Sequence, residues 1–307
     1  MGPLDDHVAI VTGGALGIGR AHSLELARRG AHVVIVDPGV ALDGSDSDAT
    51  PAAAVVAEIE AEGGSAEAAP LSVTDYDGVG ALVERIAREH GHLDIVVNNA
   101  GITRDRVLVN MQRADWYDVL DVHLGGTFNL TRHAATHWRE RHKSGERVRG
   151  RIINTASGAG MRGGVGQAAY GAAKAAIAML TTVSAMELGR YGVTANAISP
   201  VARTRMTEAA GLAPARRPDG EFDPVAPENS SAVVAYLASD AADWITGQTI
   251  RVDGNQLRFY NRPAVSDQAY SLAEERRLEV EDVEVGLRAL FGVLPLGLGD
   301  QRLRINA

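Results

Sequence analysis

Tyr170 and Lys174 stand at i and i+4 in Tyr-Gly-Ala-Ala-Lys, downstream of Ser157 in Asn-Thr-Ala-Ser. On a helix that spacing puts phenol and ammonium on one face. A nearby ammonium favours the phenolate and so lowers the phenol pKa, which would let Tyr170 exchange a proton with a carbonyl or hydroxyl oxygen. A serine hydroxyl projecting from a strand end would hold the same oxygen as charge develops on it. The chemistry these three side chains suit is alcohol–ketone interconversion, which also requires a hydride carrier.

A place for such a carrier lies near the start of the chain. The apolar run His7–Thr12 leads into Gly13-Gly14-Ala15-Leu16-Gly17-Ile18-Gly19, and a helical pattern follows at once. Glycines there allow a tight turn and a close approach to a pyrophosphate, which the helix N-terminus attracts. Asp37 closes the next apolar run, where a carboxylate accepts the adenosine ribose hydroxyls and repels a 2′-phosphate. No Lys or Arg occupies position 16 or 38 to welcome that phosphate, so NAD is favoured over NADP. Asn99-Ala100-Gly101 follows a further strand and is expected beside the Gly-rich turn, at the switch point of the sheet.

The elements that position these groups alternate along residues 7–252. The β-branched runs 7–12, 31–37, 92–98, 150–154, 193–198 and 248–252 are nearly continuously apolar, and 65–72 is a weaker one. That pattern suits strands buried on both faces, with helical stretches 17–29, 51–62, 79–90, 114–141 and 168–189 between them. The expected fold is α/β, a single Rossmann-type doubly wound domain over residues 1–255 with a parallel sheet of about seven strands. A polar insertion at 38–50, a substrate loop at 207–229 and an extension at 256–307, helical near 272–290 and forming no separate domain, complete the reading.

Composition narrows the partners. The chain has no cysteine, which removes disulfides, thiolate metal sites and thiol nucleophiles. Thirty Lys and Arg against 39 Asp and Glu give a net charge of −9, which argues against nucleic acid or an anionic membrane as partner. There is no secretory leader pattern and no long apolar run, so a cytoplasmic protein is expected. His133 and His137 share a helical face but have no acidic ligand in the pattern, so no metal site is expected. Arg203 and Arg205 are expected to be solvated or paired with a carboxylate, the alternative being contact with a CoA phosphate.

In this order Thr12–Gly19, Asn98–Gly101, Ser157, Tyr170, Lys174 and Thr246-Gly247-Gln248…Asp253-Gly254 resemble the short-chain dehydrogenase/reductase family over about residues 4–255. The resemblance implies Tyr170 as acid/base, Ser157 as the substrate-orienting group and Lys174 on the nicotinamide ribose. It implies Gly13, Gly17, Ile18, Gly19, Asp37, Ser72, Val73, Asn99, Ala100, Gly101 and Pro200, with Tyr170 and Lys174, as cofactor contacts. It further implies a homodimer or homotetramer through helices 114–141 and 168–189.

The sequence departs from the family at three points. His123, in Val-His-Leu-Gly-Gly-Thr, stands where the family usually has an Asn that supports a water relay to the lysine. Ser72 stands where an Asp near the adenine is common, and the glycine usual after Pro200 is Val201. These departures, the insertion and the Gly-Gln-Ala-Ala-Tyr segment resemble the branch of peroxisomal (3R)-hydroxyacyl-CoA dehydrogenase domains and their bacterial relatives. That branch implies a 3-hydroxyacyl thioester or a hydroxysteroid as substrate. The alternatives are an NADPH-dependent 3-oxoacyl-carrier-protein reductase and a catalytically idle NAD-binding sensor or scaffold.

Overall fold

The structure, a computed structural model, describes residues 2–39, 50–203, 217, 218, 220–261, 263, 265, 268–272 and 277–291. Most of the 38–50 insertion, part of the 207–229 loop and the end of the extension lie outside the described residues. The described chain divides into two compact units between Tyr260 and Asn261.

In the larger unit the apolar runs form strands β1 (Val8–Thr12), β2 (His32–Val36), β3 (Ser65–Ala69), β4 (Ile95–Asn98), β5 (Gly150–Thr155), β6 (Val193–Val201), β7 (Thr249–Asp253) and β8 (Gln256–Phe259). They lie in the order β3-β2-β1-β4-β5-β6-β7-β8. The first seven are parallel. β8 runs antiparallel to β7, so Val252 faces Leu257 and Asp253 faces Gln256. The sheet therefore has eight strands where the sequence led us to expect about seven. The β7–β8 link turns through Gly254 at φ +57°, a left-handed conformation that glycine adopts without strain.

The unbroken apolar character of the strands reflects burial on both faces. Ala9 and Val11 of β1 face a core formed with α1 (Gly17–Arg28), α2 (Thr50–Ala61) and α8 (Ser231–Ala238). Val8 and Ile10 face the opposite core, built with α3 (Tyr76–His90), α5 (Gly126–Lys143) and α7 (Ala168–Leu188).

The single helix expected over 114–141 is interrupted. α4 (Arg113–Leu120) passes through one π-helical turn, Asp121–Gly125, into α5. Such a turn inserts an extra residue and swings side chains to new directions. Here it carries His123 into the interior, 1% exposed. A short helix, α6 (Gly158–Arg162), leads from β5 towards α7, and α9 (Val280–Phe291) is the helix of the smaller unit.

Candidate active site

The sheet order reverses between β1 and β4, and ligands of open parallel sheets bind in the crevice this creates at the strand ends. The Gly-rich turn sits there, tied down by a network that the motif alone did not announce. Thr12 Oγ1 accepts from the backbone N–H of Asn99 (2.9 Å) and Ala100 (3.1 Å) and donates to Val97 O (3.3 Å). Asn99 Nδ2 donates to the carbonyls of Thr12 (3.0 Å) and Gly13 (3.2 Å). Thr12 was missed as a functional position. The signal was available, since a hydroxyl residue ends a buried strand where the sheet's hydrogen bonding stops.

The turn admits no side chain at its narrowest point. A Cβ on Gly19 would lie 2.0 Å from Gly13 O and 2.5 Å from Asn99 Nδ2. Gly13 and Gly17 have φ of +61° and +54°. The backbone is thus shaped as a cradle that brings main-chain N–H groups and the start of α1, with Ile18 in its first turn, towards an anion. Asp37 lies just beyond β2, and its carboxylate accepts from Ala15 N in that turn (3.2 Å) and from Gly39 N (3.0 Å). A dinucleotide fits these residues, with its pyrophosphate at the turn and its ribose at Asp37.

Two further segments carry the remaining expected contacts. Val73 is buried and its carbonyl accepts from Asn129 Nδ2 (2.8 Å). Ser72 turns its hydroxyl to Thr74 (2.8 Å). Pro200 lies in β6 opposite Val252. Among the described residues no group of His, Asp and Glu forms a metal site. His133 is instead engaged with Tyr76, its Nε2 3.1 Å from the Tyr76 carbonyl. Arg203 pairs with Asp223 at 2.6 Å, and Arg205 lies outside the described residues.

Ser157 follows β5, and Tyr170 and Lys174 lie on α7. Ser157 caps α6, its hydroxyl accepting from Ala159 N (3.2 Å). Lys174, one turn along α7, is buried and donates to Thr155 O at 2.6 Å. Its Nζ lies 5.7 Å from the centre of the Tyr170 ring. Burial lowers the Lys174 pKa to about 7. Burial pushes the Tyr170 phenol up, with the Ser157 hydroxyl pulling it down and Asp105 adding to the rise. This corrects the direction expected for the phenol. A lysine that titrates near neutrality carries too little charge to offset the desolvation of its neighbour.

His123 completes the constellation. Its ring stands edge-on to Tyr170, with centroids 5.3 Å apart, and packs against Gly101, where a Cβ would lie 2.1 Å from Cε1. Nε2 is 2.7 Å from Ile102 O and 3.2 Å from Ile102 N. The shorter contact requires Nε2 to carry the proton, which assigns the tautomer from the network and leaves Nδ1 as a bare acceptor. Nδ1 is buried with no hydrogen-bond partner among the described residues. Burial, then the charge of Lys174, lowers the His123 pKa to about 3 against a weaker opposing pull from Ile102, so the ring is neutral throughout the physiological range.

A Gly-rich turn at the switch point and a Ser–Tyr–Lys set at the end of β5 define a dinucleotide-dependent oxidoreductase acting on CH–OH or keto groups. Residues 7–214 match the family of short chain dehydrogenases, and the chain belongs to that family. Over 266 residues it is 47% identical to a hydroxyacyl-CoA dehydrogenase of Mycobacterium tuberculosis, covering 85% of this chain and 81% of that protein. It is 41% identical over 265 residues to a 3-oxoacyl-[acyl-carrier-protein] reductase of Synechocystis, covering 84% of this chain and 100% of the relative. A solved short chain dehydrogenase from Mycobacterium avium matches with a TM-score of 0.83 and 45% identity, covering 95% of this chain and 96% of that one. No described helix is long and apolar enough to cross a membrane.

Proposed function

We propose that the protein is an NAD-dependent dehydrogenase that interconverts a secondary alcohol and a ketone on a 3-hydroxyacyl thioester. The observation that carries the reaction is the set of Ser157, Tyr170 and Lys174 beyond the end of β5, with Lys174 Nζ 5.7 Å from the centre of the Tyr170 ring. Both named relatives act on, or form, acyl compounds of this kind by their own descriptions, which supports a thioester over a hydroxysteroid.

In the reductive direction Tyr170 gives its phenol proton to the carbonyl oxygen, and in the oxidative direction the phenolate form takes the proton from the hydroxyl, while Ser157 steadies that oxygen. NAD, when bound, accepts or supplies the hydride. Lys174, buried one turn along α7 from Tyr170, fits the ribose of the nicotinamide half. His123, neutral, anchors Ile102 and packs edge-on against Tyr170; it is a positioning residue and not the base.

Asp37 supports NAD over NADP, because its carboxylate already faces the turn where a 2′-phosphate would bring further negative charge. The Synechocystis relative keeps NADPH-dependent reduction of a carrier-bound 3-oxoacyl group as the second reading. We assign residues 1–255 as the catalytic domain, with β8 and Tyr260 completing the larger unit, and the chain beyond as an extension. The apolar side chains that α5 and α7 leave exposed, Phe128, Met179 and Met186, support pairing through these helices in a homo-oligomer. Reduction of NAD and of NADP, followed side by side on (3R)-3-hydroxyacyl-CoA and 17β-hydroxysteroid substrates, tests the proposal. Turnover of the thioesters with NAD is expected; turnover only with NADP, or only of steroids, overturns it.

A further inference from the structure

The residue after Ser157 is a glycine, and donors from three separate elements crowd its α-carbon. A Cβ on Gly158 would stand 3.1 Å from Nη2 of Arg162, 3.5 Å from the Tyr260 hydroxyl and 3.6 Å from Nη1 of Arg251. Arg162 ends α6, Arg251 lies in β7, and Tyr260 follows β8, its own N–H donating to Thr249 O at 2.9 Å. Ser199 of β6 is the register partner of Arg251, and its hydroxyl is 3.5 Å from that of Tyr260.

The charges in this cluster do not balance. Both guanidiniums are permanently protonated. Arg251 is answered by Asp253, at 2.7 Å. Among the described residues no carboxylate pairs with Arg162. The β7–β8 hairpin is held by its own backbone ladder, and the Arg251–Asp253 pair lies within β7; a second guanidinium brought to the same point adds like-charge repulsion. The Tyr260 phenol registers the surplus. Burial acts to raise its pKa, yet hydrogen bonds with Ser199 and Arg251 and the charges of Arg251 and Arg162 hold it below the ordinary value.

We propose that Arg162, Arg251 and Tyr260 form an oxyanion subsite beside Ser157 that takes a phosphate or carboxylate carried by the substrate. Guanidinium forks and a phenol O–H match such oxygens in geometry as well as charge. The inference rests on Ser157 as the group that holds the reacting oxygen. Adjacent residues have α-carbons about 3.8 Å apart, so an anion seated here helps to fix the distance between the acid group and the reacting carbon. The subsite selects acid-bearing substrates over neutral alcohols of the same size.

Two measurements test it. Titration calorimetry of inorganic phosphate into the dinucleotide-loaded protein reads the site without turnover, because the dinucleotide already fills the pyrophosphate turn. Arg162→Gln and Arg251→Gln are each expected to weaken phosphate binding roughly ten- to hundredfold. Arg162 lies exposed at the end of α6, so its variant stays informative if Arg251→Gln fails to fold.

The second measurement compares KM in wild type and variants for a (3R)-3-hydroxyacyl-CoA, for its N-acetylcysteamine thioester, which lacks the phosphates, and for an acyl-CoA ending in a carboxylate. A KM rise confined to the CoA esters identifies a phosphate as the occupant. A loss confined to the carboxylate-ended chain identifies the carboxylate. Variants that bind phosphate as wild type does overturn the proposal, as does weakened phosphate binding with every KM unchanged, which marks an adventitious ion only. Absence of turnover with all secondary alcohols, alongside Arg162-dependent phosphate binding, defeats the proposed reaction and leaves the subsite standing.

Discussion

His123 stands edge-on to Tyr170 with ring centroids 5.3 Å apart, its imidazole proton committed to Ile102 O and its Nδ1 left as an acceptor. The histidine packs against Tyr170 yet is neutral over the whole working range, since burial and Lys174 lower its pKa to about 3. Its effect on the reaction therefore runs through position.

His123→Asn keeps an acceptor and is expected to retain activity within about tenfold of wild type, whereas Tyr170→Phe removes the transferable proton and lowers kcat by roughly a hundred- to ten-thousandfold. Steady-state kinetics of the two variants decide the matter. Equal losses would give His123 a direct part in proton transfer.

Gly101→Ala drives a methyl group into the His123 ring, 2.1 Å from Cε1 at the start, and the ring has no exposed direction in which to retreat. Lost activity and a lowered Tm are expected together, because overpacking of a buried site costs about 1–3 kcal/mol. Thermal unfolding checks this. The double variant Gly101→Ala with His123→Asn is expected to recover part of the loss, and no recovery would place the clash elsewhere.

The Lys174 pKa of about 7, against an ordinary 10.5, fixes the sign of a pH effect. Between those values the unfolded chain binds more protons than the folded one, so stability rises with pH across that interval. Below pH 7 the cost of burying the charge is paid in full. Denaturant unfolding over a pH series should show the rise in wild type and its absence in Lys174→Met. A rise of equal size in both would assign it to another group.

Asp37→Ser removes the charge that faces the Gly-rich turn. The kcat/KM preference for NAD over NADP is expected to fall by about tenfold or more, mainly through KM for NADP. An unchanged preference would show that Asp37 does not read the ribose.

The parts of this site that were legible in the sequence are those specified by local rules. The strands around the crevice announced themselves because β1, β2, β4 and β5 are apolar on both faces. The Gly-rich turn was legible because only glycine fits at Gly13 and Gly19. β8 was not, since Gln256-Leu-Arg-Phe259 lies exposed at the sheet edge and carries no doubly buried pattern. Nor was the π turn that interrupts the helix expected over 114–141, because one extra residue barely disturbs an apolar period of 3.6. The direction of the Tyr170 pKa depends on how deeply Ser157, Lys174 and their neighbours are desolvated. Spacing brings Tyr170 and Lys174 to one face, but the dielectric around them is set by residues distant in the chain.

The most direct measurement of the central claim is NAD reduction by wild type and Tyr170→Phe, both saturated with NAD, on a series of (3R)-3-hydroxyacyl-CoA substrates. The account predicts turnover by wild type and loss of turnover in Tyr170→Phe with NAD binding retained. Tight NAD binding by wild type without oxidation of any secondary alcohol, or an undiminished rate in Tyr170→Phe, would contradict it.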